Sequence, residues 1–232
     1  MNNILKSSIG KKLIMSITGS CLLIFLLFHM AMNLVVLINV DTYNAICAFL
    51  GAKWYALAGS LALAGGFIFH IFYALLLTLS NRKARGRKRY AISVKPKNVS
   101  WASQNMFVIG LVVVLGLVLH LAQFWYKMQF AEIMGNHQSS LSGQIFDIQM
   151  GAEFVKYYFS KVFFVVVYLV WLVALWFHIS HGFWSALQSI GWNSQSWIPR
   201  LKCAAKIFAT FICLGFAAVV IIFYLKSLCS AY

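Results

Sequence analysis

Residues 13–38 read LIMSITGSCLLIFLLFHMAMNLVVLI, 26 residues without a single Lys, Arg, Asp or Glu. A helix crosses the hydrocarbon core of a bilayer with about 20 mostly apolar residues, so this run is long enough to span. Lys11-Lys12 ahead of it imitate the start of a signal peptide. The apolar region of such a leader is only roughly 7–15 residues, and the run is therefore read as a retained spanning helix. Four further segments have the same character, roughly 54–80, 104–126, 157–187 and 204–228. The expected fold is an all-α integral membrane protein with five transmembrane helices, one membrane domain over 1–232.

Composition agrees. Of 232 residues, 62% are hydrophobic and only 10% are charged, against roughly 25% charged in an ordinary soluble domain. A compact water-soluble enzyme cannot hide that much apolar surface and is excluded. The net charge of +15 arises from 19 Lys and Arg against four acids, Asp41, Glu132, Asp147 and Glu153. In a membrane chain such a bias reports topology rather than a nucleic-acid partner. With the N-terminus inside, the cytoplasmic side collects Lys6, Lys11, Lys12, Arg82, Lys83, Arg85, Arg87, Lys88, Arg89, Lys95, Lys97, Arg200, Lys202 and Lys206. The outside keeps Lys53, Lys127, Lys156, Lys161, Lys226 and all four acids. The positive-inside rule then sets the N-terminus in the cytoplasm and the C-terminus outside. The dense run Arg82 to Arg89 can meet anionic lipid, nucleic acid or a protein partner, a stop-transfer signal in contact with lipid headgroups being the plainest reading. The outer loop from Lys127 to Ser160 is too long for a plain connection and is expected to cap that face.

Five cysteines (Cys21, Cys47, Cys203, Cys213, Cys229) form no C-x-x-C, which leaves covalent haem, zinc-ribbon and cysteine-ligated iron–sulfur sites unsupported. The histidines carry the chemistry instead. His29, His70, His120, His178 and His181 fall inside spans, while His137 lies in the outer loop. An ionisable residue in the bilayer costs at least a few kcal/mol and points to function. At 1.5 Å per residue, His29 is about 25 Å from Lys12 and about 18 Å from Asp41. His70 is about 25 Å from Lys53 and about 18 Å from Arg82. Because alternate helices run in opposite directions, His29 and His120 share an outer level and His70 and His178 an inner one. Two histidines at one depth on different helices can be axial ligands to one haem iron. Gly66, Gly116 and Ala174, each four residues before a ligand, are expected to leave room for a porphyrin edge, whereas helix I has Phe25 there. Each ligand is expected to donate its other ring nitrogen to a backbone carbonyl one turn back. A histidine-lined metal transporter is the rival from another class. It would want carboxylates or soft ligands beside the histidines, and only Met30 and Met32 are near.

Further features bring the reading closer. Ser8-Ile9-Gly10-Lys11-Lys12 precedes helix I, Asn33 follows His29 by one turn, and Tyr43-Asn44-Ala45 follows that helix. Ser100-Trp101-Ala102-Ser103 precedes helix III, and His178-x-Ser180-x-Gly182-x-Trp184 closes helix IV. With this ordered set the chain resembles the di-haem cytochrome b membrane anchor of succinate dehydrogenases and quinol:fumarate reductases, in the single-chain five-helix form.

The resemblance implies a four-helix haem-binding core with a fifth helix alongside, in a bacterial cytoplasmic membrane. It implies two haem b groups, a distal one on His29 and His120 and a proximal one on His70 and His178. It also implies a flavoprotein with FAD and an iron–sulfur protein on the cytoplasmic face, menaquinone as the exchangeable substrate, and a heterotrimer that can pair into a dimer. Dicarboxylate chemistry would occur in the flavoprotein, not here. Trp176 stands where some members have a proton-carrying glutamate, and Gly51, Lys53 and Trp54 occupy a stretch where some relatives place an acid near the quinone. Asp41, Asn44, Gln123 and Glu132 are the outer-face candidates for the quinone. A cytochrome b anchor of a formate- or hydrogen-oxidising complex is the neighbouring alternative.

Overall fold

The computed structural model describes residues 7–85 and 100–229. Five of its helices are long and apolar enough to cross a membrane, and the chain is an all-α, multi-pass membrane protein. Helix α1 (Ser8–Ile38) opens with the Ser7 side chain accepting from the Gly10 amide at 3.0 Å, which satisfies one of the donors left free at a helix start. Asn39 ends α1 in an extended conformation and caps the next helix, its Oδ1 accepting from Thr42 N at 2.8 Å. That helix, α2 (Val40–Phe49), carries Asp41 in its first turn, where a carboxylate suits the helix dipole.

Next come α3 (Trp54–Arg85), the single turn α4 (Trp101–Gln104) and α5 (Met106–His120). Helix α5 continues without a break into a π-helical segment, Leu121–Phe130, and then into α6 (Ala131–Ile133). An antiparallel hairpin follows, β1 (Gln138–Leu141) paired with β2 (Gln144–Asp147). Its turn residues Ser142 and Gly143 both have positive φ, 50° and 83°, as a tight two-residue turn requires. The chain ends with α7 (Gly151–Phe159), α8 (Val162–Ser189) and α9 (Trp197–Cys229).

Five span boundaries differ from the sequence reading. The first helix starts at Ser8 rather than 13, where Ser7 caps it, and it runs through Lys11-Lys12. The expected helix from Tyr157 begins at Val162 instead, because Lys161 is extended and Tyr157-Tyr158 belong to α7. Helix α9 starts seven residues before 204, with Pro199 in its first turn, where a missing N–H breaks no bond. Helix α3 runs past Ser80 to Arg85 through residues that favour helix. The third span continues beyond Tyr126 to Ile133 through the π-helical segment. The basic residues 86–99 and Lys6 lie outside the described residues.

Large apolar side chains cover the outward faces of the spans; Ile24, Leu61, Ile68, Leu115, Val170 and Phe211 are all exposed. Helix α9 packs on α8 and α1, α1 on α8, α5 on α8, and α3 along α1. Ala205 and Ala209 of α9 are fully buried, small residues that let helices approach closely. Helix α3 is held least, with no buried residue in its most apolar window. The densest core lies where α1 ends. There α2, the hairpin and α7 close over the bundle, and Tyr43, Leu141, Phe154, Tyr158, Phe159 and Tyr168 pack as one cluster.

Candidate functional site

Two pairs of histidines face each other inside the bundle. The rings of His29 (α1) and His120 (α5) have centroids 5.8 Å apart at 81°. Those of His70 (α3) and His178 (α8) are 6.2 Å apart at 66°. Every helix of the set α1, α3, α5 and α8 contributes one ring. The partners match the depth argument.

The vertical separation can be read off independent helices. On α1, a Cβ at Gly19 would lie 3.3 Å from the His70 ring. Gly19 is ten residues before His29, about 15 Å of rise. On α5, a Cβ at Gly110 would lie 3.8 Å from the His178 ring, and Gly110 is again ten residues, about 15 Å, before His120. The molecule therefore holds two histidine levels about 15 Å apart along the helix axes.

Neighbouring side chains fix the rings. Tyr168 Oη donates to Gln123 Oε1 at 2.7 Å and lies 3.4 Å from His120 Nδ1. Thr18 Oγ1 donates to the Ile14 carbonyl at 2.8 Å and lies 3.2 Å from His70 Nδ1. These contacts correct the expected bond to a backbone carbonyl, since the groups that meet both rings are hydroxyls from a neighbouring helix. His29 is stacked on Phe25 at 5.3 Å and flanked by Phe216 of α9 at 5.7 Å. Asn33 donates to the His29 carbonyl at 2.8 Å and accepts from the Tyr43 hydroxyl at 3.3 Å.

Of the small residues one turn before the ligands, Gly116 does other work than expected. A side chain at Gly116 would collide with the Trp171 indole, which sits 5.9 Å from His120 and donates to the Val113 carbonyl at 3.0 Å. A Cβ at Gly66 would meet Leu22 of α1 in ordinary contact, at 3.6 Å. The glycine that makes room for a histidine ring is Gly19 on the facing helix, where a Cβ would crowd His70 at 3.3 Å; at Gly110 a Cβ would meet His178 only in ordinary contact, at 3.8 Å.

The four outer candidates do not converge. Asp41 is exposed on α2. Asn44 Oδ1 accepts from Ala152 N at 3.0 Å, capping α7. Glu132 accepts from Ala52 N at 3.0 Å and from Gln149 Nε2 at 3.4 Å, tying the α2–α3 link to the cap. Only Gln123 belongs to the histidine site. It is 4% exposed, and its Nε2 has no partner.

Among the described residues no three His, Cys, Asp or Glu side chains gather to hold a metal ion, so each level offers two imidazoles. At roughly 2 Å per metal–nitrogen bond, two imidazoles on opposite sides of one metal have ring centroids about 6 Å apart. Both observed separations fit. Comparisons with protein families, curated proteins and solved structures find no match for the chain.

Proposed function

We propose that the chain is the di-haem cytochrome b membrane anchor of a succinate dehydrogenase or quinol:fumarate reductase, relaying electrons between menaquinone and an iron–sulfur partner. The observation that carries this reading is the pairing of four intramembrane histidines at 5.8 and 6.2 Å, on two levels. A transported metal ion would call for further ligands around each pair. Two imidazoles suffice when a planar macrocycle fills the remaining positions.

His29 and His120 would hold the distal haem, His70 and His178 the proximal one. Haem b supplies one-electron redox chemistry when bound, and the protein tunes it by ligation, burial and hydrogen bonding. This chain's residues hold and orient. Tyr168 and Thr18 restrain two of the rings, while Phe25, Phe216 and Phe124 surround the His29/His120 level with apolar surface. Gln123 offers the quinone a buried amide beside that level. The bias of basic residues sets the N-terminus in the cytoplasm, and the soluble flavoprotein and iron–sulfur subunits dock on that face.

A pyridine haemochrome assay of the purified protein should give two haems per chain, with a flavoprotein and an iron–sulfur protein copurifying. One haem or none defeats the paired-level reading. A molybdenum or nickel subunit in the complex assigns the anchor to another dehydrogenase.

A further inference from the structure

Each histidine level is asymmetric, and hydrogen-bond direction says how. A hydroxyl has one proton. The Tyr168 proton is occupied by Gln123 Oε1 at 2.7 Å, so toward His120 Nδ1 at 3.4 Å the phenol oxygen can only accept. The Thr18 proton is occupied by the Ile14 carbonyl at 2.8 Å, so toward His70 Nδ1 at 3.2 Å it too can only accept. The tautomer that these two acceptors match carries its proton on Nδ1 and leaves Nε2 with a free lone pair.

Their partners have no such acceptor. The His29 ring nitrogens lie 3.5 Å from Asn33 Nδ2, a donor. His178 Nδ1 is buried without a hydrogen-bond partner. The anchored rings are on α3 and α5, and their anchors come from α1 and α8, the helices each packs against.

We infer that Thr18 and Tyr168 are positioning residues, one per histidine pair, that fix the ligating nitrogen of His70 and His120 and raise its donor strength. An acceptor on the far ring nitrogen makes a ligating imidazole more basic. Losing it weakens donation to the metal and raises the potential of that centre. The inference rests on the di-haem reading.

Optical redox titration of the intact complex tests it with Thr18→Val, Tyr168→Phe and Thr18→Ser. Thr18→Val and Tyr168→Phe should each raise one midpoint potential, and not the same one. The expected size is roughly a two- to tenfold change in the oxidised-to-reduced ratio at fixed potential, up to about 59 mV for one electron. Thr18→Ser keeps the hydroxyl and should restore the wild-type value. Loss of one haem, a different one in each variant, also supports the assignment. Unmoved potentials with both haems bound overturn it, as does a shift of the same haem by both variants or loss of both haems in either. A wild-type protein without haem instead defeats the underlying reading.

Discussion

His178 and His181 are three residues apart on α8 yet meet different neighbours. The His178 ring faces His70 at 6.2 Å, whereas His181 packs edge-on against Trp184 at 5.3 Å. Lys202 reaches over the same indole at 4.8 Å, so His181 belongs to an aromatic and basic corner beside the pair. His178→Ala should lose one haem, and His181→Ala should keep both; haem content of the purified variants decides, and the reverse pattern would exchange the roles. The sequence favours His178 because Ala174 and Gly182 flank it, while Phe177 crowds His181. The same reasoning misleads at Gly116, where the space goes to an indole from another helix. Gly116→Val should cost about 1–3 kcal/mol through overpacking, read as lower thermal stability in detergent. Equal stability would mean that Trp171 moves aside freely.

The elements repeat this contrast between what lies along one helix and what arrives from another. Spans and histidine depths are legible because hydropathy and rise per residue are properties of a single helix. That the long outer loop caps one end is legible from its length, but how it does so is not, because side chains far apart in sequence build the cap. Gln129, on the π-helical segment, is the clearest case. Its Nε2 donates to the Leu50 and Gly51 carbonyls at 3.2 and 3.0 Å. Its Oε1 accepts from Ser60 at 2.7 Å and Trp125 at 2.8 Å. Gln129→Leu leaves those groups unpaired and should cost about 1–3 kcal/mol, with faster proteolysis between α2 and α3; unchanged cleavage and melting would show that water replaces the amide. The hairpin adds a pH-sensitive contact. Tyr157 donates to Ser142 at 2.6 Å, and Lys161 lies 3.6 Å from its ring. Hydrogen bonding with Lys161 and then Ser142 holds the phenol below the ordinary tyrosine range. A lowered value favours the ionised form, so the pH-linked part of this contact's stabilisation appears only as pH rises through that value. Lys161→Met should move the spectrophotometric titration of Tyr157 upward; an unmoved titration would remove Lys161 as the cause.

At the scale of the whole molecule, five spans put the two termini on opposite faces of the membrane. The four acids and the cap of α2, hairpin and α7 gather at the end where α1 finishes. Arg82 and Lys83 near the end of α3, and Arg200 to Lys206 near the start of α9, lie at the other end. On the proposed reading the basic loops stay in the cytoplasm, the cap faces outward, and the positive face is the one offered to the soluble partners, where long-range attraction would speed docking. Single cysteines test both halves, in a background with the five native cysteines replaced by alanine. Ser140→Cys, exposed on β1, should react with a membrane-impermeant maleimide in intact cells. Lys95→Cys should react only after permeabilisation, and more slowly when the flavoprotein and iron–sulfur subunits are bound. Labelling of Lys95→Cys in intact cells would invert the topology. Equal rates with and without the partners would keep the topology but leave the basic face to lipid alone.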